Sequence, residues 1–275
     1  MWFEEQQFTP LHKITLGLID RDLEAELQLS TSGINKKDSK GRSPLAWASA
    51  RSDVHAVRTL LEFGADPNTV CATGNNPLLR SVRAKTPACT RLLLERGANI
   101  RSKSALGFTA LHYAAYYQDD EAYLRPLFDF NAPINEKDCY GWTALSCTAE
   151  YDHVRSAAAL LDYGADIESR DKTGWTPLLR AVNSNSHRVL KLLFDRGADY
   201  RVVSFRNETI HHFAAARGDC ETLGILAAAA MKGLDTSVED ERGLTAIAAM
   251  DCRSVKSSDL NEAFTNLLKS LDGVL

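Results

Sequence analysis

The chain has 275 residues, 44% of them hydrophobic and 25% charged, with a formal net charge of −4 and a pI of about 6.0. That balance suits a globular chain and excludes recognition of nucleic acid through a strong basic field. No apolar run reaches the length of a membrane span, and the opening MWFEEQQF lacks the basic-then-apolar layout of an export signal.

In chain order, the first helix signal is Thr9-Pro10. The hydroxyl caps free N–H groups, and proline suits the first turn. The signal returns at Ser43-Pro44, Asn76-Pro77, Thr109-Ala110, Thr143-Ala144, Thr176-Pro177, Thr209-Ile210 and Thr245-Ala246, at steps of 34, 33, 33, 34, 33, 33 and 36 residues. Each opens a short helix such as PLAWASAR or ALHYAAYY, with small residues (Ala114, Ala115, Ala181) where neighbours approach. A second helix ends in paired leucines: Leu60-Leu61, Leu93-Leu94, Leu160-Leu161, Leu192-Leu193. Gly64, Gly97, Gly164 and Gly197 then stop it, as glycine does at a left-handed C-cap, and Asn131 takes that place once. The stretch up to the next Asp and Gly, as in ADIESRDKTG, is expected to form an extended β-hairpin.

One helix–turn–helix–hairpin unit cannot bury its apolar faces alone, whereas stacked units share a core. The period divides the chain into an N-terminal capping repeat (1–37), six full repeats (38–237) and a C-terminal capping repeat (238–275). The phrases GRSPLAWASA, GFTALHYAA and GWTPLLRAV, with the GAD and GAN phrases after the second helices, resemble the ankyrin-repeat family over nearly the whole chain. The two ends are similar in style to fungal-type ankyrin arrays. The resemblance implies an all-α solenoid with short β-hairpins, about six full units plus atypical caps. It further implies a concave groove lined by hairpin tips and first helices, in which partners bind. It carries over no enzyme motif and no cofactor.

Residue types along that implied groove point to binding. The position before the capping Thr reads Arg42, Asn75, Phe108, Trp142, Trp175 and Glu208, which places three large aromatics in consecutive repeats. Tyr140 and Phe205 lie nearby on the hairpins, and Tyr116, Tyr117, Glu150 and Tyr151 at the far ends of first helices. A second column reads Lys13, Trp47, Arg80, Tyr113, Cys147, Arg180 and Phe213. Exposed aromatic clusters are costly in water and mark binding surfaces. Arg80 reads either as a cation–π partner of Trp47 and Tyr113 or as a clamp for a carboxylate. Arg180 reads as a cross-repeat ion pair with Glu150 or as a charge facing a ligand. Arg42, Lys40 and Arg83 form a polar rim.

His12, His112 and His212 occupy the family's T-x-x-H slot, where the resemblance implies a bond to the neighbouring hairpin backbone. His211 replaces a core leucine and is expected to be buried and neutral. No GxSxG, HExxH, P-loop or GxGxxG occurs, and the six cysteines form no CxxC pair, so no metal site is expected. Scattered thiols point to a reducing compartment, the cytoplasm, with the nucleus left open.

Three functions compete. The first is a protein-interaction module that takes a peptide or domain in the groove through the aromatic row of repeats three to five, with no nucleic acid and no membrane as partner. The second is a cofactor-independent cyclase or isomerase acting on a small apolar ligand, with Glu150, Arg180, Tyr116 and Tyr151 as candidate catalytic groups. The third is a structural spacer.

Overall fold

The computed structural model describes residues 7–229, 231, 234–253 and 257–271. Of the three expected segments, residues 1–6, 230, 232–233, 254–256 and 272–275 therefore lie outside the described residues. The chain divides into two compact units, Met1–Cys139 and Tyr140–Leu275.

The N-terminal half holds α1 (Pro10–Thr15), α2 (Leu23–Leu29), α3 (Pro44–Ala50), α4 (Val54–Glu62), α5 (Pro77–Ser81), α6 (Ala88–Glu95), α7 (Ala110–Tyr117) and α8 (Glu121–Asp129). The first helices pack in sequence, α1 on α3, α3 on α5 and α5 on α7, and the second helices do the same from α2 to α8. The C-terminal half holds α9 (Ala144–Tyr151), α10 (Val154–Asp162), α11 (Pro177–Asn183), α12 (His187–Asp195), α13 (Ile210–Arg217), α14 (Cys220–Ala228), α15 (Ala246–Asp251) and α16 (Ser258–Leu271). There α9, α11, α13 and α15 form one layer and α10, α12, α14 and α16 the other.

Local chemistry sets the helix ends. Thr9, Ser43, Asn76, Thr109, Thr143, Thr176 and Thr245 each accept the backbone N–H three residues on, which is worth about 1 kcal/mol per cap. At the end of α4, Gly64 has φ +86°. Its N–H reaches Leu61 O and that of Ala65 reaches Leu60 O, a Schellman closure. Asn131 makes the same closure after α8 with φ +54°, a region asparagine tolerates better than other side chains. Between the layers Leu45, Leu60, Leu78, Leu93 and Leu111 in one half, and Leu145, Leu160 and Leu178 in the other, are fully buried. Burying each such side chain stabilises the fold by about 2 kcal/mol.

The expected β-hairpins are absent: among the described residues there is no strand. The loop at Asp171 shows why. Asp171 N–H bonds Trp175 O and Gly174 N–H bonds Asp171 O, closing a tight turn. The Asp171 carboxylate then accepts the N–H groups of Thr173 and Trp175 at 2.7 and 3.0 Å. A side chain takes donors that a facing strand would need. Between neighbouring loops one backbone–backbone bond recurs among the described residues, such as Phe205 N–H to Thr173 O at 3.0 Å, and one such bond does not make a ladder. The loops still approach closely: a Cβ on Gly174 would lie 2.6 Å from Phe205 N.

The histidine slot works as the resemblance implies. His12 Nδ1 accepts the Thr9 N–H at 3.2 Å, so Nε2 carries the proton and donates to Arg42 O at 2.9 Å. His212 repeats this with Thr209 and Leu244 O. His211 is 1% exposed, and neither ring nitrogen has a partner among the described residues. Burial, with the neighbouring His212, pushes its pKa down to about 4.

Candidate functional site

The predicted aromatics separate into one cluster in each half. In the N-terminal half, Gly107 and the capping Thr109 hold Phe108 at the loop base, while α7 presents Tyr113, Tyr116 and Tyr117 on successive turns. Phe108 lies 5.4 Å from Tyr113 and 6.4 Å from Tyr116 between ring centroids, and Tyr116 lies 4.8 Å from Tyr117. Arg83, just beyond α5, places its guanidinium over Tyr117 at 4.8 Å and Tyr113 at 5.5 Å. With Leu106 these residues line a shallow pocket of about 230 Å³. Tyr117 is 43% exposed and Leu106 52%. Leu106 was missed in the sequence reading. It stands where other loops carry Lys40, Thr73 or Thr173, and that substitution was its only signal.

Beside this pocket, Trp47 on α3 anchors a cationic group. Asp38 is buried, and its Oδ2 accepts from Arg42 Nε at 2.7 Å and Trp47 Nε1 at 3.0 Å. Burial alone would raise the Asp38 carboxyl, but hydrogen bonds from Arg42, Trp47 and Lys40 hold it below the usual carboxylate range. Arg42 stacks on the Trp47 ring at 4.1 Å, and Arg80 lies 5.6 Å from the same ring. Arg80 donates through Nε to Ala46 O at 3.1 Å.

The C-terminal cluster is built differently. Arg180 on α11 is 5% exposed and lies 3.6 Å from the Trp142 ring centroid and 5.2 Å from that of Trp175. Its Nη2 pairs with the buried Asp171 carboxylate, and its Nη1 donates to Glu150 Oε2 at 3.1 Å. Glu150 Oε2 also accepts from Ser184 Oγ at 3.0 Å. Phe213 is 4% exposed and meets Trp175 edge-on at 4.7 Å. Trp142 and Trp175 thus cover a buried ion pair, with both carboxylates engaged by the guanidinium. The sequence pairs Arg180 with Glu150 across repeats; Asp171, the second carboxylate on this guanidinium, carries no signal of that role in the sequence. Tyr140 and Tyr151 are 57% and 41% exposed, and the Tyr151 ring lies 6.0 Å from that of His153.

Among the described residues no group of three or more His, Cys, Asp or Glu side chains is placed to hold a metal ion. No helix of the described residues is long and apolar enough to cross a membrane.

Comparison with known proteins agrees with this architecture. The family profile "Ankyrin repeats (3 copies)" matches residues 19–104, 63–138 and 111–204, more than half of the chain. Human ankyrin repeat domain-containing protein 63 is 30% identical over 119 residues, 40% of this chain and 31% of that protein. A Caenorhabditis elegans homolog of transient receptor potential cation channel subfamily A member 1 is 30% identical over 158 residues, 57% of this chain and 13% of that protein. The Arabidopsis thaliana E3 ubiquitin-protein ligase KEG is 30% identical over 115 residues, 41% of this chain and 7% of that protein. The chain spans less than a third of the length of these relatives. Among solved structures, the ankyrin repeat domain of Bcl-3 superposes with a TM-score of 0.67 at 26% identity, covering 82% of this chain and all 100% of that one. The human ASB11 ankyrin repeat domain gives 0.72 at 23% identity, covering 82% and 98%, a likeness of fold alone. Period, capping chemistry, paired helices and profile match agree: this chain belongs to the ankyrin-repeat family.

Proposed function

We propose that this chain is a protein-interaction module that takes a partner peptide or domain on the face bearing Phe108, Tyr113, Tyr116 and Tyr117. The observation that carries the reading is the pocket of about 230 Å³ among these rings, which has exposed apolar walls in Leu106 and Tyr117. A contiguous aromatic patch of this kind is an interface hot spot in waiting, because Tyr and Arg supply large contact area at low entropic cost. The Trp142–Arg180–Trp175 cluster belongs to the folding of the C-terminal half instead, since its cation is buried and already paired.

The test is a selection of short random peptides on the full chain, repeated with Tyr113→Ala and Tyr117→Ala combined. Retained peptides should weaken by about tenfold or more on the variant while its melting temperature stays close to that of the parent. Peptides that bind both proteins equally would place the binding face elsewhere.

A further inference from the structure

The cations beside the pocket have a chemistry of their own. Asp38 is engaged by Arg42 and Trp47. Arg80 is half-buried, and its Nη groups make no hydrogen bond or ion pair among the described residues. Arg83 is exposed and rests on the two tyrosine rings. Stacking on a ring leaves the N–H edge of a guanidinium directed outward, in the plane that grips a carboxylate. Burial, and then repulsion from Arg42 and Arg83, holds the Arg80 guanidinium below the usual arginine value, so these like charges crowd one another. Lys40, exposed on the adjoining loop, adds a fourth cation. Like charges gathered with so little acid between them gain from an anion brought by a partner.

We infer that this face binds an acidic peptide segment: Asp or Glu carboxylates seat on Arg80 and Arg83, and one adjacent bulky apolar side chain enters the pocket of Leu106, Phe108, Tyr113, Tyr116 and Tyr117. The inference rests on the proposed interaction function and adds the chemistry of the partner. Charge complementarity selects a peptide. The pocket holds one side chain, and Arg83 occupies faces of Tyr113 and Tyr117 that a run of stacked bases would need.

The probes are three sets of short peptides that share a central Leu, Phe or Pro and differ only in flanking residues: Glu and Asp, Ser and Gly, or Lys. Each is titrated against the full chain by fluorescence anisotropy, with single-stranded oligouridylate as a fourth probe. The acidic set should bind about tenfold more tightly than the neutral one and weaken as salt is raised. The double variant Arg80→Gln/Arg83→Gln should abolish that preference, and Arg80→Lys should restore part of it. Arg83→Gln alone touches an exposed residue, so its folded state serves as the control should the double variant unfold. If the neutral or basic set binds best and binding still needs Tyr117, the acidic specificity is wrong and the interaction function stands. If no set binds, both fail. If oligouridylate binds more tightly than every peptide, a nucleic-acid partner replaces the proposal.

Discussion

Arg180 shows how much one side chain can organise. It joins Asp171 of its own repeat's loop to Glu150 of the preceding repeat, under two indole rings. Truncating it leaves the Asp171 carboxylate buried without its cation, a change that costs about 3–5 kcal/mol. We therefore expect Arg180→Ala to lower the urea midpoint strongly, with Arg180→Lys intermediate because a lysine lacks the planar fork. The pair Trp142→Ala/Trp175→Ala should likewise lose melting temperature. An unchanged melting temperature would return the tryptophans to the list of binding residues. His211 gives a pH test. Above pH 6.5 it is neutral both folded and unfolded and contributes no slope. Between 6.5 and about 4 the unfolded chain takes up a proton that the buried ring refuses, so stability falls as pH falls, by ~3 kcal/mol at the lower end. His211→Leu should remove that loss. Stability curves of parent and variant that stay parallel down to pH 4 would contradict it.

At the scale of the element, the loops rank by how closely the backbones approach. Gly174 has φ +82° and a neighbour 2.6 Å from its would-be Cβ, whereas Gly64 has φ +86° and open space around it. Gly174→Ala should cost about 2–3 kcal/mol and Gly64→Ala only about 1 kcal/mol, read as the difference in denaturation midpoints. Equal costs would mean that the loops are free to separate. Helix starts and stops were legible in the sequence because Thr9-Pro10 or Gly64 acts on its own neighbours. The hairpins were misread because the outcome hangs on a competition: whether the loop N–H groups find a strand or the Asp171 carboxylate. A period of residues does not record which acceptor is nearer.

Across the whole molecule, a chain with a net charge of −4 keeps a cationic, aromatic face in its N-terminal half. The column of aromatics was readable in the sequence, since equivalent positions recur at a fixed step. Which of them meet water was not. Tyr117 is 43% exposed although Arg83, Tyr113 and Tyr116 all meet its ring, while Trp142 is engaged by a guanidinium 38 residues further along the chain. Exposure depends on the partner each repeat supplies, and that becomes visible only once the helices are stacked. The most direct test of the binding face is photo-crosslinking: a selected peptide with a benzophenone at its apolar position is irradiated on the full chain and the adducts are mapped. The account predicts adducts at Leu106, Phe108 and the segment Tyr113–Tyr117. Adducts on the second helices, around Arg58, Arg91 and Glu121, or none above a scrambled peptide, would contradict it.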